Sequence, residues 1–393
     1  MALFRRRRSN DTTDSTAAIS AFWDAWPTLR EPLAEAVEAD RPAPDEVAER
    51  VTALVKAVHP DLDWEAGPAP STPEPGLEDL DLSMDVDPDE LLERLAALDD
   101  PAAFGQGPAH ALTLRPGPSD DARIQSERWT RSAPDDDAWA FLPARPADHE
   151  SLTGTVRWDD HELDLTHVSV SMRVDHATGR IEVGVYHPDN MFLSEDVRRA
   201  LADHVVLLAL GEDESVRRIG TVVPLEESPL DPLPPTSIPA AVRQMIDMLG
   251  GGNDGWVTLK ATNLRQDQLV LSARHPVTRR DFPAFTLAVQ VLVPYTDKGS
   301  DGQPDGASAV ALQELESRLA RLLDDNGALF LRSTLSGRRD LMYYLDPESD
   351  ALAPFEEELK SWSEGDLKLS SRLDPDRAVF AAALRPYRRF LQG

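Results

Sequence analysis

Apolar residues near the start of the chain recur at helical spacing. Ile19, Phe22, Trp23 and Trp26 form one stripe, the mark of a helix with a buried face. Pro27 interrupts the stripe, because its ring clashes with the preceding turn, and Leu29, Leu33 and Val37 resume it. Asp45 opens a second helix in which Val47, Val51, Leu54, Val55 and Val58 share a face, and His59-Pro60 closes it. Apolar and acidic residues then alternate over 62–65, which predicts a short strand. Residues 15–66 thus read as a helical segment with a strand at its end.

The pattern lapses over residues 67–107. Pro68, Pro70, Pro73 and Pro75 come with a run of acids, a composition with too little apolar surface to order itself. Asp87-Pro88-Asp89-Glu90 is a helix start signal inside it, and Leu91, Leu92, Leu95 and Leu98 share one face. The expectation is an acidic, Pro-rich insertion carrying one amphipathic helix.

Residues 108–225 read as a mixed block. A strand at 109–114, a helix at 120–131 and a strand at 139–142 come first. A strand at 156–158 then turns into a long one at 163–174, where Val168, Val170, Met172 and Val174 share a face. Thr178-Gly179 turns the chain into a partner strand with Ile181, Val183 and Val185. A helix at 194–210, capped by Ser194, and a strand at 219–225 close the block. Four prolines between 229 and 235 predict a stiff linker, and with a short helix at 240–249 and three glycines it extends over 226–253. Residues 254–393 form a second mixed block: strands at 256–261, 268–274 and 286–293, a helix at 309–323, a hairpin about Gly337, then helix, strand and helix. Hairpins and helices in this order predict an α+β fold.

Charge narrows the function classes. The 393 residues hold 70 Asp plus Glu against 40 Lys plus Arg, a formal net charge of -30. A phosphate backbone calls for the opposite sign, so a nucleic-acid partner is not expected. Zero cysteines exclude a disulfide scaffold, a zinc finger and a thiol nucleophile. The longest apolar runs, such as 205–210, are far short of a membrane span. Four arginines at 5–8 are followed by no apolar run, so residues 1–14 read as a disordered basic leader and the location as cytoplasmic. Residues 1–100 hold 24 acids against 9 basic residues; a basic protein is the partner such a surface favours.

Candidate chemistry is sparse. Asp159-Asp160-His161-Glu162, followed by Asp164 and His167, is the tightest group of metal-ligand types. On a hairpin those residues are the turn itself, where Asp is favoured for its own backbone contacts. His187 and Asp189 end a strand, where His187 is either a loop base or a strand-end cap. Asp135-Asp136-Asp137 has the carboxylates for magnesium but sits in a Pro-flanked loop. No phosphate loop or Gly-x-Ser-x-Gly elbow occurs, and no cofactor is called for. A catalytic reading, a hydrolase or transferase in residues 110–190, requires two or three of His161, His167, His176 and His187 to converge with carboxylates. Trp23, Trp26, Trp129 and Trp139 sit among acids and read as core anchors, not a base-stacking platform.

The second mixed block carries a further pattern: Trp256 opening a strand, an apolar strand ending at Tyr295, Gly337 in a hairpin leading to Tyr343, and Asp374-Pro375-Asp376 before the last helix. In these residues 254–391 resemble the domain of unknown function 695, although Arg377 stands where members of that family often have Trp. The same signature occurs in the regulator of ribonuclease E activity B, an acidic inhibitor that binds its target. The resemblance implies a ferredoxin-like fold, here expected for both α+β blocks, and a binding role with no catalytic residues to carry over. Asp374 is expected to cap the last helix, with Pro375 at its first position and Asp376 near the positive end of its dipole. The functional expectation is a non-enzymatic, protein-binding or regulatory module.

Overall fold

The computed structural model describes residues 10–70, 107–158, 160–176, 178–250, 255–262, 267–277 and 279–387, apart from the side chains of 10–14, 250 and 279. Residues 1–9 of the expected leader, the helix expected in the acidic insertion and Asp159 fall outside the described residues; residues 10–14, expected to be disordered, are instead the first turn of a helix, continuous with the apolar stripe that follows. Contacts divide the chain into two compact units, Met1–Pro146 and Ala147–Gly393.

The first unit begins with helix α1 (Asn10–Glu38) and helix α2 (Asp45–Val58). Pro27 does not end α1, which runs through it and through Pro32. Phe22, Trp26, Leu29 and Leu33 on both sides of Pro27 are buried in one core, and that burial outweighs the lost backbone hydrogen bond. Strands β1 (Asp63–Pro68), β2 (His110–Arg115) and β3 (Trp139–Leu142) form a sheet in that order, antiparallel then parallel, and helix α3 (Asp120–Arg131) links β2 to β3. Ser119 caps α3 as its side chain accepts from Ala122 N–H.

The expected block 108–225 is therefore divided. Its first part, to Pro146, shares a sheet with β1 and a core with the N-terminal helices. Sequence order alone does not reveal this, because the pairing partner β1 precedes a long insertion.

The second unit opens with hairpin β4 (Thr155–Trp158) and β5 (His161–Asp164). The expected single strand 163–174 is broken, because the Asp164 carboxylate accepts from both Thr166 N–H (2.9 Å) and Thr166 Oγ1–H (2.6 Å). That local turn competes with the ladder. Strands β6 (Ser169–Asp175), β7 (Arg180–Tyr186) and β8 (Ile219–Leu225) follow as a three-stranded sheet, with helix α4 (Glu195–Arg218) joining β7 to its parallel neighbour β8. The helix expected to stop at Leu210 breaks at Gly211, φ 75°, and restarts to Arg218.

The stretch 226–253 does not behave as a linker. Leu233 and Val170 exchange backbone hydrogen bonds of 3.0 and 2.8 Å. Helix α5 (Ile238–Gly250) buries Ile238, Val242 and Met245 in the core beneath β6–β8. These three lie at i, i+4 and i+7, an apolar stripe that drives docking whatever the prolines before it do.

The last sheet has six strands: β9 (Trp256–Thr262), β10 (Gln268–Arg274), β11 (Leu287–Pro294), β12 (Gly327–Leu335), β13 (Arg338–Leu345) and β14 (Lys368–Leu373). Their order is β14-β11-β13-β12-β10-β9, antiparallel throughout. Helix α6 (Gly306–Leu323) joins β11 to β12, and helix α7 (Leu352–Leu359) joins β13 to β14. Both cover one face, over Val289, Val291, Val293, Leu341 and Tyr343. Helix α8 (Ala378–Leu384) covers only part of the other, where Phe380 and Leu384 pack on Ala288, Phe330 and Tyr344. The β12–β13 turn needs two left-handed residues, Ser336 (φ 48°) and Gly337 (φ 86°).

The α+β expectation holds for the described residues, and no helix among them is long and apolar enough to cross a membrane.

Candidate functional site

The histidine group comes together only in part. His161 opens β5 opposite Trp158, next to the β4–β5 turn. His176 lies in the turn between β6 and β7, whereas His187 follows the far end of β7. The seven residues of β7 separate them by roughly 20 Å at ~3.3 Å per residue.

His167 and His187 do approach, with ring centroids 6.4 Å apart. Asp164 precedes both in sequence and contacts both: its Oδ2 lies 3.8 Å from His167 Nδ1, and its carbonyl oxygen 3.1 Å from His187 Nε2. Hydrogen bonds from the Thr166 side chain and backbone hold the Asp164 carboxyl below the usual carboxylate range.

What matters chemically is how His187 is used. Its ring is buried, at 2% exposure. Nδ1 accepts from Asp189 N–H at 3.1 Å, which fixes the proton on Nε2, and Nε2–H donates to the Asp164 carbonyl. Both ring nitrogens are thereby committed to the backbone, and the ring has no lone pair free to take a proton from a substrate. The Asp189 carboxylate stands 3.7 Å from Nδ1 and is half exposed. The group joins the β5 end to the turn after β7. Nitrogen-15 chemical shifts of neutral His187 are expected to report the Nε2–H tautomer; the Nδ1–H tautomer would contradict this assignment and return the ring to the list of bases.

Among the described residues, no three His, Asp or Glu side chains are placed to hold a metal ion. Asp136 is instead a structural clamp. Its Oδ2 accepts from Trp26 Nε1–H at 3.3 Å, and its Oδ1 accepts from Ala138 N–H and from Arg30 at 3.0 Å each. Trp23, Trp26, Trp129, Trp139, Phe22 and Phe141 make a single cluster of edge-on and stacked rings, with Trp26, Trp129 and Trp139 buried. These rings belong to the core of the first unit, with Trp23 and Phe141 partly buried at its margin.

The signature residues of the last sheet do not converge: Asp374, Pro375 and Asp376 lie at the start of α8, whereas Trp256, Gly337 and Tyr343 lie elsewhere on the sheet. Asp374 Oδ1 accepts from Ala378 N–H and Oδ2 from Val379 N–H, both at 2.9 Å, and Tyr344 O–H donates to Oδ2 at 2.6 Å. Asp374 caps the helix, but Pro375 is not its first residue. Arg377, left-handed at φ 55°, intervenes, and α8 begins at Ala378. Pro375 and Asp376 are exposed, ahead of the helix.

Burial, and next the bond to Asp374, push the Tyr344 hydroxyl above its usual range. Tyr343 points to the opposite face, against Phe355, and burial raises its hydroxyl also. Trp256 lies at the β9 start with the Arg274 guanidinium 5.2 Å above its ring. Arg377 is buried with its guanidinium 4.7 Å over Phe330 and donates to the Phe282 carbonyl at 2.9 Å. A cation–π seat of this kind lets the buried guanidinium pack against ring faces.

Two neighbouring hollows open on the half-covered face of the six-stranded sheet. One has a volume of about 490 Å³ and the other about 380 Å³, and they share Gln290, Ser370 and Ala383. Lys368, Arg372, Asp340 and Ser333 supply the polar lining, and Leu292, Met342 and Leu331 the apolar. Sequence reading missed this face. The signal was available as Lys368 and Arg372, four apart in a strand and so on one side of it. No protein-family model, no curated protein and no solved structure matches the chain.

Proposed function

We propose that the chain is a non-enzymatic cytoplasmic binding module whose first unit meets a basic protein through the outer faces of α1 and α2. One observation carries this reading. Asp24, Glu31, Glu35, Asp45, Glu46 and Glu49 are exposed on those helices, and none has an ion pair among the described residues. Only Arg41 and Arg50 offset them without a partner of their own. Asp24, Glu31 and Glu35 recur at seven and four residues, on the side of α1 away from its buried stripe. Such a surface steers a cationic partner and sets its orientation.

A ferredoxin-like arrangement of residues 287–373 belongs to the same proposal. It is supported by the order strand, helix, two strands, helix, strand and by the neighbour sequence β14-β11-β13-β12. With it comes the likeness to the domain of unknown function 695 and the binding precedent of the regulator of ribonuclease E activity B.

The test uses a quadruple variant, Asp24→Asn, Glu31→Gln, Glu35→Gln and Glu49→Gln, which leaves the first-turn acids of α2 in place to support its dipole. Basic proteins recovered from native lysate by the parent chain at low salt are expected to be lost with this variant. Equal recovery by both chains would refute the assignment of the surface.

A further inference from the structure

We propose that the free edge of β14 is a second docking site, which takes an extended acidic segment of a partner protein as an added strand. This goes beyond the reading above: it lies in the other unit, and its charge has the opposite sign.

Strand β14 pairs only with β11 and ends the six-stranded sheet. All six of its residues are exposed. An edge strand offers a row of outward N–H and C=O groups to any chain that lies alongside, and no other described strand pairs there.

Register fixes the faces. Lys368, Ser370 and Arg372 oppose Leu292, Gln290 and Ala288, and so point to the half-covered side, where the two hollows lie. Leu369 and Leu373 point to the other side and are 37% and 67% exposed. An added strand thus meets cations on one face and leucines on the next.

The cations are available. In a chain with 70 acidic residues against 40 basic ones, Lys368 and Arg372 are exposed and have no ion pair among the described residues. Four strand residues apart, they stand roughly 13 Å from each other at ~3.3 Å per residue. Carboxylates four apart in an added strand match that spacing, with a small residue or a third acid opposite Ser370. The complementary pattern is alternating acidic and apolar residues.

A second copy of this chain does not fit. Antiparallel pairing of β14 with itself about Ser370 sets Lys368 against Arg372 at both ends, and like charges directly opposite are destabilising.

The test titrates the full chain, by calorimetry, with a synthetic octapeptide of alternating valine and glutamate. Saturable binding is expected. The double variant Lys368→Glu, Arg372→Glu, whose fold is verified by circular dichroism, is expected to bind this peptide at least about tenfold more weakly, and to gain affinity for a valine–lysine peptide.

Two N-methylated versions of the acidic peptide separate strand addition from charge attraction. Methylating one set of alternate amides should abolish binding, and methylating the other set should be tolerated, because an added strand gives only every second amide to the ladder. No binding, equal binding by the charge-reversed variant, indifference to which amides are methylated, or concentration-dependent dimerisation through β14 would each overturn the proposal. None of these outcomes bears on the acidic face of the first unit, whose test uses another variant.

Discussion

Asp374→Ala is expected to lower the stability of the second unit by about 3 kcal/mol. The carboxylate satisfies two backbone N–H groups at the start of α8 and accepts the Tyr344 hydroxyl, all while only 5% exposed. A lost cap costs about 1 kcal/mol, and a buried hydroxyl left without its acceptor about 1–3 kcal/mol more. Tyr344→Phe removes the hydroxyl but leaves both caps, so it should cost only about 1 kcal/mol. The pair shares a bond, so the double variant should fall short of the sum. Chemical denaturation of the four proteins measures the cycle. Additive effects, or an Asp374→Ala change within about 0.5 kcal/mol, the usual range of a surface substitution, would remove Asp374 from this role.

A comparable loss is expected from Asp281→Ala. Arg218, at the end of α4, reaches Asp281 at 2.7 Å, with side chains 13% and 6% exposed. Arg218 Nε and Nη1 are buried without hydrogen-bond partners, and the nearest other carboxylate oxygen, of Glu214, is 3.6 Å from Nε. The same seam carries Arg217 Nε–H to the Arg280 carbonyl at 3.0 Å. Removing Asp281 leaves a buried guanidinium with its main counter-charge gone, a change that costs about 3–5 kcal/mol. Replacing both partners by apolar residues, Arg218→Met with Asp281→Leu, removes the stranded charge and should recover most of that loss. A double variant no more stable than Asp281→Ala alone would show that shape, not charge, holds the seam between α4 and the segment before β11.

The periodic elements were legible where local pattern and burial agree. The amphipathic helix at 120–131 and the alternation of Ile181, Val183 and Val185 appear as read, because each buries one clean face. The misreadings have tertiary causes. Pro27 was outvoted by rings packed on both sides of it. The Pro-rich stretch before α5 is tied down by one exchange with Val170. The first sheet joins β1 and β2 across 41 residues of chain, and no local signal records that pairing. The site was legible only as residue types. His187 and Asp189 were found, but nothing in the sequence says that both imidazole nitrogens are bound to backbone groups. Arg377 was visible as a residue, but its seat over Phe330 and its bond to the Phe282 carbonyl are matters of tertiary geometry.

The central claim is that the acidic face of α1 and α2 binds a basic protein, and the most direct measurement is that partner's association rate as a function of salt. Complementary charges raise the encounter rate, and the Debye length shrinks to about 3 Å at 1 M salt. The rate for the parent chain should fall at least about tenfold from low to molar salt. The Asp24, Glu31, Glu35 and Glu49 neutralised chain should start slow and change little. A parent-chain rate that stays constant across that range, or one that falls equally for both chains, would contradict the account.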